Sequence, residues 1–201
     1  MLRLIGDVHG KIDQYISLAK DVEYSIQLGD MGFNYNSLTA LNPANHRAIA
    51  GNHDNYGRLT SHFLGDYGLT PFQMDGEAIF FIRGGRSIDQ HLRVPGVSWF
   101  WNEELSYFQM MDAIAAYSKA KPAIVLSHEC PARIVAEMHG ATPFYFDGKL
   151  IEPSRTAIIL EEMLAIHRPK LWVFGHHRRS WAREINGCKF RCLAELEVYD
   201  L

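Results

Sequence analysis

Residues 1–10 read Met1-Leu2-Arg3-Leu4-Ile5-Gly6-Asp7-Val8-His9-Gly10. A short apolar run, Leu2 to Ile5, is cut by a glycine, and a carboxylate and an imidazole follow within three residues. Lys11 to Lys20 then carries Ile12, Ile16 and Ala19 at helical spacing. The opening is therefore strand, loop, helix, with the polar pair on the loop. The same punctuation recurs down the chain. Tyr24 to Leu28 runs into Gly29-Asp30, Arg47 to Ala50 into Gly51-Asn52-His53-Asp54, Pro122 to Leu126 into Ser127-His128, and Leu171 to Phe174 into Gly175-His176-His177.

Between these runs, Leu105 to Lys119 has helical spacing, Pro131 opens a short helix, and Ser154 caps one ending near His167. Ala78 to Ile82 is a further strand, closed by the turn Arg83-Gly84-Gly85-Arg86. Trp181 to Ile185, Lys189 to Leu193 and Leu196 to Tyr199 end the chain as strands, with Asn186-Gly187 as a hairpin turn. The fold class this predicts is α/β with an antiparallel ending. The aromatic stretch Ser87 to Glu104, with Trp99, Phe100 and Trp101, is expected to cover one rim of a site.

At 201 residues and 47% hydrophobic content, the chain can bury one substantial core, and one domain over residues 1–201 is expected. A formal charge of -3 gives no overall pull toward a polyanion, so there is no strong case for duplex nucleic acid as a partner. The apolar opening is too short for an export signal, and no window reaches the apolar length of a membrane span. Cys130, Cys188 and Cys192 form neither an even disulfide framework nor paired CxxC clusters; they read as buried small residues in a reducing, cytoplasmic setting.

In open α/β sheets, ligands gather beyond the carboxyl ends of the strands. Polar residues that repeatedly follow apolar runs are therefore expected to converge. Five endings supply metal-ligand chemistry: Asp7 and His9, Asp30, Asn52 with His53, His128, and His176. One such ending means little, because a turn explains it equally well. Five in the same context point to a metal centre built from mixed nitrogen and oxygen donors.

Their order resembles the calcineurin-like metallophosphoesterases, whose motifs are GDxHG, GDxx, GNHD or GNHE, a later strand-end His and a final GH. The match runs from Asp7 to about His177, and it is similar to small bacterial and phage members of that family. The resemblance implies a layered α/β sandwich with mixed β-sheets flanked by helices. It implies two divalent ions, one on Asp7, His9 and Asp30 and the other on Asp30, Asn52, His128 and His176, with Asp30 shared. Manganese leads the choice of metal, and iron, zinc or nickel suits the same donors. The implied reaction is hydrolysis of a phosphomonoester or phosphodiester, small molecule or nucleotide, by hydroxide generated at the metals. His53 is then the donor to the departing ester oxygen. Asp54 either orients His53 or caps a helix after it. Among the arginines able to grip phosphate, Arg58 and Arg178 rank first by closeness in sequence, ahead of Arg86, Arg93 and Arg179.

Two departures stand out. Many members end in GHxH, whereas this chain reads Gly175-His176-His177-Arg178, so the first metal keeps only Asp7, His9 and Asp30 with extra water, His177 bends in, or that site is weak. The second motif continues Gly32-Phe33-Asn34 instead of GDxxDRG, which weakens a Ser/Thr phosphatase reading. The alternatives are a nucleotide anhydride hydrolase of the dinucleoside polyphosphate type, with Trp99 or Trp101 stacking on a base, and a non-catalytic metal-binding scaffold.

Overall fold

The computed structural model describes residues 1–140, 145–146 and 148–201. Strand β1 (Leu2–Ile5) leads into helix α1 (Ile12–Lys20), then β2 (Tyr24–Gln27), β3 (His46–Ala48), β4 (Tyr67–Met74) and β5 (Glu77–Ile82). Helix α2 (Tyr107–Ala120), β6 (Ile124–Ser127), α3 (Ala132–His139), β7 (Tyr145–Phe146) and β8 (Lys149–Leu150) come next. The chain closes with α4 (Arg155–Ile166), β9 (Leu171–Phe174), β10 (Trp181–Ile185), β11 (Cys188–Cys192) and β12 (Val198–Asp200).

Two mixed sheets carry the architecture. The smaller has the order β12-β1-β2-β3, and the larger β10-β11-β9-β6-β5-β4. Strands β1, β2 and β3 run parallel to one another, as do β5, β6 and β9. Parallel strands covered on both faces read as unbroken apolar runs, because alternate side chains enter different cores. In β5, Ile79 and Phe81 join Leu4, Ile26 and Leu28 between the sheets, while Phe80 and Ile82 face the outer helices with Met110 and Leu160. On the far side of the small sheet, Tyr15 and Ala19 of α1 pack on Ile5 and Ala48. The result is a four-layer α/β/β/α sandwich. Among the described residues, no helix is long and apolar enough to cross a membrane.

Local chemistry explains the element ends. Ser106 and Gln109 form a reciprocal capping box, so α2 begins two residues after the apolar pattern does. Asn186 and Gly187 both have positive φ, 51° and 81°, as the β10–β11 turn requires. Val198–Asp200 pairs with β1 across the molecule instead of extending the final hairpin. Strand β4 lies outside the sequence expectation, since Gly68 and Pro71 interrupt its pattern. It is an edge strand whose register slips between Leu69 and Gln73, where a missing N–H is tolerated. The three cysteines are free and buried.

Candidate functional site

The carboxyl ends of β1, β2, β3, β6 and β9 deliver Asp7 and His9, Asp30, Asn52 and His53, His128, and His176. The structure brings all of these together. Asp30 lies at the junction. Its Oδ1 is 3.2 Å from His128 Nε2, and its Oδ2 is 3.8 Å from His9 Nε2 and 4.0 Å from His53 Nε2. Two donor groups compatible with a metal ion share it: His9, Asp30 and His53 on one side, and Asp30, His128 and His176 on the other.

Backbone geometry is unusual at these positions. His9, Asp30 and His176 have φ of 47°, 58° and 66°. That left-handed conformation costs about 1–2 kcal/mol for a residue with a Cβ, and it persists where surrounding contacts over-determine it. Here the contacts can be named. The N–H groups of Val8 and His9 both donate to the Asp30 carbonyl, at 3.0 and 2.8 Å. The His53 N–H donates to Asp30 Oδ1 at 2.7 Å, and the His176 N–H to Asp7 Oδ1 at 3.0 Å. Close approach also explains two glycines. A Cβ at Gly29 would lie 2.2 Å from His128 Nδ1, and one at Gly51 would lie 2.3 Å from Asp30 Oδ1.

The orientation of the His128 ring is fixed by the backbone. Its Nδ1 donates to the Leu28 carbonyl at 2.8 Å, which leaves Nε2 facing inward. There Nε2 meets Asp30 Oδ1, Asn52 Oδ1 at 3.1 Å and His176 Nδ1 at 3.1 Å. Burial alone would lower the His128 pKa, yet the Asp30 and Asp7 carboxylates raise it to about 10. The converse holds at Asp30, where His128, His53 and His176 outweigh burial and keep the carboxyl below its ordinary value. Such a pair marks a place that demands positive charge. The amide of Asn52 is oriented in turn: its Nδ2 donates to Ser87 Oγ at 3.1 Å, and Ser87 donates to Glu103 Oε2 at 2.7 Å.

Two buried atoms in this cluster have no hydrogen-bond partner, Asp7 Oδ2 and His9 Nε2, which lie 3.5 Å apart. An unpaired buried carboxylate oxygen costs on the order of 1–3 kcal/mol, so the residues fit a cation held between them.

Asp54 is buried but neither orients the His53 ring nor caps a helix. Its Oδ2 accepts from the N–H groups of Gly51 and Asp30 at 2.8 and 3.0 Å, and its Oδ1 accepts from the Tyr35 hydroxyl at 3.0 Å. It ties the second and third strand-end loops together. Burial, with Asp30 nearby, pushes its carboxyl up to about 7. His177 is turned away from Asp7 and His9; its Nε2 lies 2.8 Å from Glu129 Oε1.

The arginines sort differently from their order in sequence. Arg58 is exposed on the loop after Asp54 and lines neither of the two hollows at the site. Arg178 is exposed but borders the site. The guanidinium at His53 belongs to Arg93, forty residues further on. Its Nη2 and Nη1 lie 2.7 and 3.2 Å from the two ring nitrogens, and Asp89 grips it at 2.7 and 2.8 Å. Ser87, Glu103 and Arg93 all come from the aromatic 87–104 segment, whose lack of periodicity concealed which side chains reach inward.

A cavity of about 700 Å³ opens over the cluster. Its polar lining includes Asp30, Asn52, His53, Arg86, Arg93 and Arg178, and its apolar wall includes Ile88, Val135 and Leu150. A neighbouring hollow of about 590 Å³ shares Arg86 and Arg93 and is lined also by Trp99, whereas Trp101 is exposed and lines neither.

Among known proteins, a family model described as calcineurin-like phosphoesterase matches residues 2–178. No curated protein sequence matches the chain. It is similar in structure to a hypothetical protein of Thermus thermophilus, with 14% identity, a TM-score of 0.50, and 96% of this chain against 75% of that one covered. A provisionally assigned 5'-nucleotidase of Staphylococcus aureus, in complex with alpha-ketoglutarate, gives 13% identity and a TM-score of 0.51, with 98% of this chain and 49% of that one covered. A second Thermus thermophilus protein gives 12% identity and a TM-score of 0.50, covering 96% and 89%. Identities this low carry the fold alone.

Proposed function

Because the chain belongs to the calcineurin-like phosphoesterase family, we propose that it hydrolyses a phosphate monoester or diester at a centre of two divalent ions, manganese foremost. Asp7, His9 and Asp30 would hold one ion, and Asp30, Asn52, His128 and His176 the other. The observation that carries this reading is the buried, partnerless pair Asp7 Oδ2 and His9 Nε2 beside the shared Asp30. Divalent ions bound there supply Lewis acidity to phosphoryl oxygens and make water acidic enough to act as a nucleophile near neutral pH.

The protein's own groups do the rest. Arg93 presents N–H donors to both nitrogens of His53, yet a neutral imidazole has only one acceptor nitrogen. One of those two contacts therefore sets donor against donor. A phosphoryl oxygen entering between them accepts from both, so Arg93 and His53 form an anion slot beside Asp30. His53 donates a ring N–H hydrogen bond to the ester oxygen that departs. Asp89 keeps the Arg93 fork in place, and Arg86 and Arg178 add positive charge at the mouth.

Assaying an aryl phosphomonoester, an aryl phosphodiester and a dinucleoside tetraphosphate side by side, with Mn²⁺ supplied, tests this reading. Metal-dependent release of phosphate or alcohol from either ester supports it; inertness toward both esters contradicts it. Turnover of the tetraphosphate alone favours the second reading, which rests on Trp99 in the hollow that shares Arg86 and Arg93.

A further inference from the structure

After β6 the chain runs His128-Glu129-Cys130, and the Glu129 and Cys130 side chains gather around His177, beside the Asp30 centre. Glu129 and Cys130 are both buried, and both meet the ring of His177. His177 Nε2 lies 2.8 Å from Glu129 Oε1 and 3.5 Å from Cys130 Sγ, and one donor atom from each side chain falls within 4.8 Å of the others.

We propose that Glu129, Cys130 and His177 form a third metal site, separate from the phosphoesterase centre and selective for Zn²⁺ or a similar borderline-soft ion. Geometry makes the first case. Sulfur and nitrogen ligands on one tetrahedral zinc, at about 2.3 and 2.0 Å, stand about 3.5 Å apart, and Cys130 Sγ and His177 Nε2 have that separation. The carboxylate contact is shorter than the roughly 3.4 Å expected between nitrogen and oxygen ligands, so Glu129 moves outward by about half an ångström as the ion enters.

Hydrogen bonding makes the second. Without an ion, His177 Nε2 sits between the Glu129 carboxylate at 2.8 Å and the Cys130 sulfur at 3.5 Å, and its single proton can be given to only one of them. A divalent cation replaces both contacts at once. The thiol proton leaves to solvent, and the ring proton passes to Nδ1, the nitrogen that faces away from Glu129, 3.2 Å from His139 Nε2. The Cys130 N–H, 2.9 Å from Glu129 Oε1, holds the carboxylate.

Donor type separates this site from its neighbour. A thiolate favours zinc over manganese, whereas the nitrogen and oxygen donors around Asp30 suit manganese. Glu129 and His177 also line the 700 Å³ cavity, so three protein ligands leave one position open toward it, the pattern of a reactive rather than a purely structural zinc. Glu129 Oε2 lies 3.4 Å from His176 Nε2, which links the two sites through one carboxylate.

Co²⁺ titration of the metal-free protein tests the proposal through the near-ultraviolet band of a cobalt–thiolate bond. The expected result is a band that saturates in the wild type and in Cys188→Ser and Cys192→Ser, and that is absent from folded Cys130→Ser. Mn²⁺-supported ester hydrolysis is retained in Cys130→Ser. No band in the wild type, or a band that survives Cys130→Ser, overturns the third site. Zinc X-ray absorption on the wild type needs no variant: a sulfur neighbour at about 2.3 Å supports the site, and a shell of nitrogen and oxygen alone overturns it. Failure here with ester hydrolysis intact leaves the phosphoesterase reading standing, and the reverse pattern counts only against that reading.

Discussion

His53 lies half-buried beside Asp30, and burial, with Arg93, His9 and Arg178 alongside, outweighs the Asp30 charge and lowers its pKa to about 4. On the proposed mechanism the neutral ring donates a hydrogen bond to the departing oxygen, and the benefit is greatest when that oxygen is basic. His53→Ala should keep its metals yet lose at least about a hundredfold in kcat toward an alkyl phosphate, and less toward an aryl phosphate. Unchanged turnover of both would remove His53 from the chemistry. Arg93→Met should raise the inhibition constant for inorganic phosphate about tenfold or more, since a fork held by Asp89 is lost, with Arg93→Lys recovering only part of it. Equal phosphate inhibition in the wild type and Arg93→Met would show that Arg93 merely pins its loop. The candidate metal donors were legible as residues because all but His9 directly follow a glycine or serine at the end of an apolar run. Arg93 was not ranked first, because only the path of the 87–104 segment brings it to His53, and sequence distance favoured Arg58.

The parallel strands were readable as elements for a physical reason: both faces are covered, so β5, β6 and β9 are nearly unbroken apolar runs that stop where the site begins. Edge strand β4 broke the pattern with Gly68 and Pro71, and the pairing of β12 with β1 is set by contacts from opposite ends of the chain. The loops between strand ends tolerate little. Gly51→Ala places a methyl group against Asp30 Oδ1 and, at 2.7 Å, against His128 Nε2. It should cost about 1–3 kcal/mol in stability and weaken metal binding, measured by thermal melting and calorimetric titration. Wild-type metal affinity in that variant would show that Asp30 and His128 move freely, against the geometry described.

Across the whole molecule, the strand ends close on one another only after both sheets have packed, so metal binding and folding are linked. Metal at a hundred times its dissociation constant should stabilise the protein by about 2.7 kcal/mol, seen as a lower melting temperature after chelation. A second whole-molecule effect comes from Cys188, whose thiol burial raises from 9.0 to about 12. The unfolded chain loses this proton first, so stability is unaffected below about pH 8 and falls as pH rises from about 9 toward 12, by at most about 1.4 kcal/mol per pH unit. Urea unfolding at about pH 8 and about pH 10 checks the slope, which Cys188→Ala should reduce. On the proposed ligand sets the two metals should differ as well, because Asp7, His9 and Asp30 would hold one ion with a residue fewer than the other, and His177 faces Glu129 instead. The most direct measurement is therefore Mn²⁺ titration of the metal-free protein while following aryl phosphate ester hydrolysis. Turnover should appear with metal and saturate after two unequal binding steps; no turnover at any occupancy, or two equal steps, would contradict the account.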